Sequence, residues 1–240
     1  MLLMNACAVK DISSGAKAID HKEFTVLLQK YVNNDGWVDY NGLIQDSVKF
    51  HQYLQKLSSS HPDPKTWTIN QQKAYWINAY NAFTLKLVCE QYPISSIKDI
   101  KNGIPFVNTV WDIKFIKIQN QVYDLNNIEH GILRPKFKDP RVHFAINCAS
   151  FSCPALRSEA YEAETLDKQL YDQAARFIND PKKNMLDSEH PKLSKIFYWY
   201  SSDFTEKISK IQFINQWAKT KINTDASLDY LDYIWSLNKQ

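Results

Sequence analysis

Residues 70–91 read N-Q-Q-K-A-Y-W-I-N-A-Y-N-A-F-T-L-K-L-V-C-E-Q. Apolar side chains fall on nearly every side of the helix this spacing predicts, and a helix that is apolar all round is a buried one. The stretch therefore predicts a central helix with the other elements packed about it. Asn78 and Asn81 sit three apart on one face. Buried amides need partners, so the two either hold neighbouring backbone or line a cleft as substrate-binding groups. Cys89, near the end of the run, reads as core.

Working outward, residues 24–32 and 48–57 have helical patterns, separated by Asn33-Asn34-Asp35-Gly36 and a short extended piece at Trp37–Tyr40. Residues 113–124 predict a hairpin turning near Gln119-Asn120. Residues 126–133 predict a short helix carrying Glu129 and His130. Arg141 to Asn147 alternates, with Val142, Phe144 and Ile146 on one face and His143, Ala145 and Asn147 on the other, and reads as a strand. Residues 165–178 and 205–221 predict further helices, with another short piece at 192–200. The tail at 230–238 is too apolar to hang loose. There is no repeat and no dividing linker. The fold class is α+β, a mostly helical single domain over 21–240 around a small antiparallel sheet, with residues 1–20 as a flexible N-terminal segment.

Composition narrows the function. An apolar share of 44% excludes a disordered chain. Five glycines in 240 residues and no G-x-G-x-x-G or P-loop pattern argue against a nucleotide fold. The net charge is only +3 and no basic run occurs, so nothing points to nucleic acid. No stretch approaches 18 apolar residues, so no transmembrane helix is expected. Met1 to Cys7, M-L-L-M-N-A-C, is compatible with the remnant of a lipoprotein signal, with Cys7 as a lipid anchor and a periplasmic location. An ordinary N-terminus and a cytoplasmic location are the alternative. No cofactor is indicated.

The chemistry concentrates between Arg141 and Leu156, R-V-H-F-A-I-N-C-A-S-F-S-C-P-A-L. Cys148 follows the apolar run and precedes a turn, which suits an exposed nucleophile. A thiolate beside an imidazole or a helix N-terminus has a lowered pKa. His143 and His130 are the candidate bases, with Glu129 or Asn78 as an orienting group. Arg134 and Arg141 could clamp a substrate carboxylate, or pair with Glu129, Asp139 or Asp124. Cys153 is followed by Pro154, which biases it toward extended backbone and is expected to open the next helix. In a turn the two sulfurs could be bridged, as a structural disulfide or a redox couple. A metal set of Cys148, Cys153, His130 and His143 fits no zinc spacing. The C-terminal aromatics Tyr230, Tyr233 and Trp235 read as packing.

Five segments carry a resemblance. A-Y-W-I-N-A-Y-N-A (74–82), L-N-N-I-E-H-G-I-L-R (125–134), D-P-R-V-H-F-A-I-N-C-A-S-F-S-C-P-A-L (139–156), F-Y-W-Y-S-S-D-F (197–204) and Y-L-D-Y-I-W-S-L-N (230–238) resemble, in order, the family called domain of unknown function 547. The resemblance covers about 66–238. It implies a family found in bacteria and eukaryotes, with glutaredoxin-like fusions among its members and bacterial forms that look secreted or lipid-anchored. It assigns no chemistry.

Three functions follow from the residues. The leading expectation is a cysteine-dependent hydrolase or acyl-transferase on a small-molecule or peptide substrate. Cys148 would be its nucleophile and a histidine its base, in a layout analogous to a permuted papain. A non-enzymatic interaction or scaffold domain is the alternative, and a thiol redox protein using Cys148 and Cys153 is the third. Oligomeric state is left open.

Overall fold

The computed structural model describes residues 12–101 and 109–240. Cys7 and the lipid-anchor expectation attached to it lie outside these residues. Helix α1 (Lys22–Tyr31) presents Phe24, Leu27, Leu28 and Tyr31 to the interior. Helix α2 (Tyr40–Gln45) follows, then α3 (Ser47–Ser59), which buries Phe50, Tyr53, Leu54 and Leu57. The i, i+3, i+4, i+7 stripes of α1 and α3 face each other, and Phe24 stacks on Tyr53 at 4.6 Å between ring centroids. Each such buried apolar side chain contributes about 1.5–3 kcal/mol.

Helix α4 (Ile69–Gln91) is the central element expected from the sequence. A capping box fixes its start. The Thr68 hydroxyl accepts from the Gln71 N–H at 3.2 Å, and the Gln71 side chain accepts from the Thr68 N–H at 2.8 Å. From Gln72 to Val88 every residue but Lys73 and Lys86 is buried.

The predicted hairpin is β1 (Ile116–Ile118) and β2 (Gln121–Tyr123), antiparallel with Ile116 opposite Tyr123. Gln119 at its turn has φ 49°. Residues Asn127–Leu133 form a π-helical segment and run into α5 (Arg134–Phe137).

Residues 141–147 correct the strand expectation. Val142–Ala145 is a short helix, α6, and all four residues are buried. The period-2 pattern has another cause here. Val142 and Ala145 pack into the large core around α4, while Phe144 packs into a second cluster with Phe177, Phe197, Phe204 and Phe213. A single helical turn wedged between two cores needs apolar residues on both sides. Helix α7 (Leu166–Ile178) spans the same seam, with Leu166 and Leu170 in the first core and Ala174, Phe177 and Ile178 in the second.

Pro154 does not open a helix, and the chain stays irregular until α7. Its carbonyl accepts from Asn147 Nδ2 at 2.7 Å, and the Ala155 carbonyl accepts from Gln173 Nε2 at 2.9 Å. The acceptors a helix would use are already taken.

Beyond α7 come β3 (Lys192–Leu193), α8 (Ile196–Trp199), α9 (Ser201–Phe204) and α10 (Lys210–Asn215). The helix expected over 205–221 is confined to α10. Ser209 and Gln212 cap its start, and the Asn215 side chain closes a turn onto Ile222 at its end. Strand β4 (Asp229–Tyr230) pairs in parallel with β3. The tail is fixed, as its apolar character requires. Ser236 bridges to Ser96, Leu237 to Ser150 and Lys239 to Val38. The architecture is α+β and mostly helical. Among the described residues no helix is long and apolar enough to cross a membrane.

Candidate active site

A cleft of about 280 Å³ opens where the two cores meet. The large core supplies Tyr80 from α4, Glu129 and His130 from the π-helical segment, His143 from α6, and Cys148 with Cys153 from the loop after α6. The small core supplies Trp199 and Tyr200, and the tail supplies Tyr233 and Trp235.

The cysteine loop is built by asparagines. Asn147 Nδ2 donates to the Pro154 carbonyl at 2.7 Å, its Oδ1 accepts from the Ala149 N–H at 2.8 Å, and its own N–H donates to Asn81 Oδ1 at 2.8 Å. Asn238 Nδ2 reaches Asn147 Oδ1 at 3.3 Å, and the Tyr40 hydroxyl holds Asn238 Oδ1 at 2.8 Å. Ala149 is forced to φ 59°, a left-handed conformation that a non-glycine residue adopts only when its surroundings dictate it. The outcome is that two residues five apart place their sulfurs in contact, with Cys148 Sγ 2.8 Å from Cys153 Sγ.

The sulfurs are not equivalent. Cys148 is partly exposed and Cys153 is buried. The Cys148 sulfur accepts from the Cys153 thiol, meets the Ser150 hydroxyl at 3.2 Å and accepts from the Tyr233 hydroxyl at 3.3 Å. Ser150 in turn donates to the Tyr233 oxygen at 3.0 Å, a relay that ends on the sulfur. The Cys153 hydrogen bond leads, Ser150 and Tyr233 add to it against the opposing effect of burial, and the Cys148 thiol is lowered to about 7. Burial and the neighbouring Cys148 sulfur push Cys153 well above the ordinary thiol range. Burial, with the neighbouring Glu90 adding to it, drives Cys89 up to about 12.

His143 is held by a carboxylate that the sequence reading did not pick out. Its Nε2 lies 2.8 Å from Asp203 Oδ2, and its ring stacks on Tyr200 at 3.9 Å between centroids. Arg134 grips Asp203 through two bonds of 2.7 Å. Burial works to raise the Asp203 carboxyl, but hydrogen bonds from Arg134 and His143 outweigh it and hold it well below the usual carboxylate range. Neither histidine is a hydrogen-bond partner of Cys148 Sγ. His130 Nδ1 accepts from Arg134 at 2.8 Å, and its Nε2 lies 3.9 Å from Glu129 Oε1.

Four residues expected to bind substrate are placed as scaffold. Asn78 is fully buried and exchanges hydrogen bonds with the Tyr161 backbone at 2.8 and 2.9 Å. Asn81 donates to the Ala145 carbonyl and accepts from Asn147. Arg141 pairs with Asp139 and with Asp167. Arg134 positions Asp203 and His130. All four have their polar groups committed to the protein. The C-terminal aromatics pack as expected, and Tyr233 does more than pack, because its hydroxyl is a partner of Cys148. Asp203 lies inside F-Y-W-Y-S-S-D-F, so the only trace of it in the sequence is that motif. Among the described residues, no group of three or more His, Cys, Asp or Glu is gathered to hold a metal ion.

Fold and cleft together define a mostly helical α+β domain with a dithiol at the seam of its two cores. The chain carries a DUF547 domain: residues 64–178 match the family described as "Protein of unknown function, DUF547". The matched stretch takes in α4, the π-helical segment and the cysteine loop, while Asp203 and Tyr233 lie beyond it. No curated protein and no solved structure matches the chain.

Proposed function

We propose that the cleft carries out thiol–disulfide exchange, with Cys148 as the attacking thiolate and Cys153 as the resolving thiol. One observation carries this reading: the two sulfurs are in contact, and the accessible one is acidic while the buried one is not. An attacking thiol works best when its pKa lies near ambient pH. The Cys148 thiolate attacks one sulfur of a substrate disulfide, forming a mixed disulfide and expelling the other sulfur as a thiolate. Cys153 then attacks Cys148 Sγ, its proton passing to the substrate sulfur that departs. Two electrons move from the dithiol to the substrate, leaving a Cys148–Cys153 disulfide. The reverse sequence oxidises a substrate dithiol.

The test is thiol trapping after equilibration in glutathione buffers of graded potential, read by mass spectrometry. A two-electron interconversion of Cys148 and Cys153 alone, at a potential a cell maintains, supports the reading. A pair that stays reduced in mild oxidant ends it.

The Asp203–His143 pair favours a second reading, acyl transfer or hydrolysis through Cys148. The carboxylate fixes the imidazole in the same cleft, as an orienting acid does for a general base. On this reading His143 takes the Cys148 proton in the substrate complex, and the analogy is to a permuted papain-like layout. An acyl adduct on Cys148 that persists in Cys153→Ser would favour it over disulfide exchange.

A further inference from the structure

The cleft is lined by a buried carboxyl group that the protein pairs only in part. Glu129 is 5% exposed and lines the cleft. Its Oε1 has no hydrogen-bond partner among the described residues. The Tyr200 hydroxyl hydrogen-bonds this carboxyl group, but His130 Nε2 stands 3.9 Å from Oε1, outside hydrogen-bond reach. Arg134 acts on Glu129 only through space, because its guanidinium is bound bidentately to Asp203. A buried carboxylate left in this condition is costly, and the usual remedy is a partner of opposite charge.

The same cleft has an aromatic wall. Trp199 lies 4.8 Å from Tyr233, Tyr233 4.6 Å from Trp235, and Trp111 5.4 Å from Trp235, between ring centroids. Trp199 is 44% exposed, a large apolar surface left open beside a polar site. Aromatic faces attract cations. One of these rings already does so: Lys98 Nζ stands 4.9 Å from the Trp235 centroid. Lys98 does not itself line the cleft.

We propose that the cleft binds a ligand bearing a cationic nitrogen on an apolar stem, an alkylammonium group, with the charge drawn to Glu129 and the stem against Trp199, Tyr233 and Trp235. This names the substrate class of the proposed thiol site. It rests on that reading only in setting the ligand beside Cys148, since Glu129 and the rings stand without the thiols. The volume suits a compact group, such as the side chain of a lysine residue or a small amine.

The experiment titrates the full chain with choline and with n-butylamine, each against its neutral counterpart, 3,3-dimethylbutanol or n-butanol. Tryptophan fluorescence and calorimetry report binding. The expected result is saturable binding of at least one amine, about tenfold or more tighter than its neutral counterpart, which is what one well-seated cation–aromatic contact supplies. Glu129→Gln should lose about tenfold for the amine and little for the alcohol, and Trp199→Ala should weaken both. Circular dichroism checks that each variant is folded. Equal binding of amine and alcohol, no binding of either amine, or undiminished amine binding by folded Glu129→Gln overturns the proposal. The titration is repeated on Cys148→Ser. Amine binding that survives there, with no disulfide exchange by the parent chain, removes the thiol reading alone. Exchange without amine binding removes this inference alone.

Discussion

Asn147 donates to the carbonyl of Pro154 at 2.7 Å, and that bond closes the loop on which both cleft cysteines lie. The two thiols meet because a buried amide, 4% exposed, ties the ends of their loop together. Replacing Asn147 with Ala leaves the Pro154 carbonyl, the Ala149 N–H and the Asn238 amide without this partner, while the backbone bond to Asn81 remains. The expected cost is about 2–4 kcal/mol in chemical denaturation, one to two unmet buried polar groups. In the variant that still folds, oxidation of Cys148 and Cys153 to a disulfide should slow, as followed by mass spectrometry.

Cys148 should titrate as an acidic thiol. Iodoacetamide should label it with a pH midpoint at about 7. Below that pH the thiolate takes up its proton and labelling falls, and above it the rate reaches a plateau. Cys89, pushed up to about 12, should label about a hundredfold more slowly or less at neutral pH. Equal labelling of the two by peptide mapping would remove Cys148 as a nucleophile.

Two substitutions at Cys153 should part company. Cys153→Ala removes the leading cause of the Cys148 acidity, so its midpoint should rise by about one unit or more toward the ordinary thiol range. Cys153→Ser keeps a donor at that position and should hold the midpoint near its parent value. Both abolish closure of the disulfide. A midpoint that rises equally in both would mean that the second sulfur itself, rather than its hydrogen bond, tunes the first.

Asp203 should make the fold sensitive to acid. Its carboxyl lies below its ordinary 3.8, so its contribution to stability is complete above that pH and is lost as pH falls toward its folded value. Asp203→Asn should cost about 1–3 kcal/mol at neutral pH, the worth of hydrogen bonds to charged groups. The loss should shrink as pH drops below about 4, where the carboxyl of the unfolded chain takes up its proton while the folded one stays ionised. Denaturant melts at pH 7 and pH 3 compare the two.

The parts of the fold legible in the sequence are those set by local periodicity. Helices α1, α3, α4 and α7 each place apolar residues where one buried face, or burial all round, requires them. Helix α6 was not legible, because Val142 and Phe144 serve two different cores and so imitate the alternation of a strand. The cysteine loop announced itself by composition, since two thiols and a histidine within a dozen residues point to chemistry in any fold. Asp203 and Tyr233 did not. They lie 60 and 85 residues from the His143 and Cys148 they act on, and no spacing rule links residues so far apart. Asn78 and Asn81 show the converse. Their shared face was readable, but whether it met a cleft or a backbone depended on where residues 145–161 would pack.

The tail contacts also set an order of events. Tyr233 follows Cys148 by 85 residues, and Asn238 follows Asn147 by 91. A ribosome adds about 5–20 residues each second. For several seconds after both cysteines have been synthesised, the chain lacks the hydroxyl and the amide that complete their surroundings. During that interval the Cys148 sulfur lacks one of the hydrogen bonds that make it acidic, and its acidity is complete only when the tail carrying Tyr233 is laid beside it.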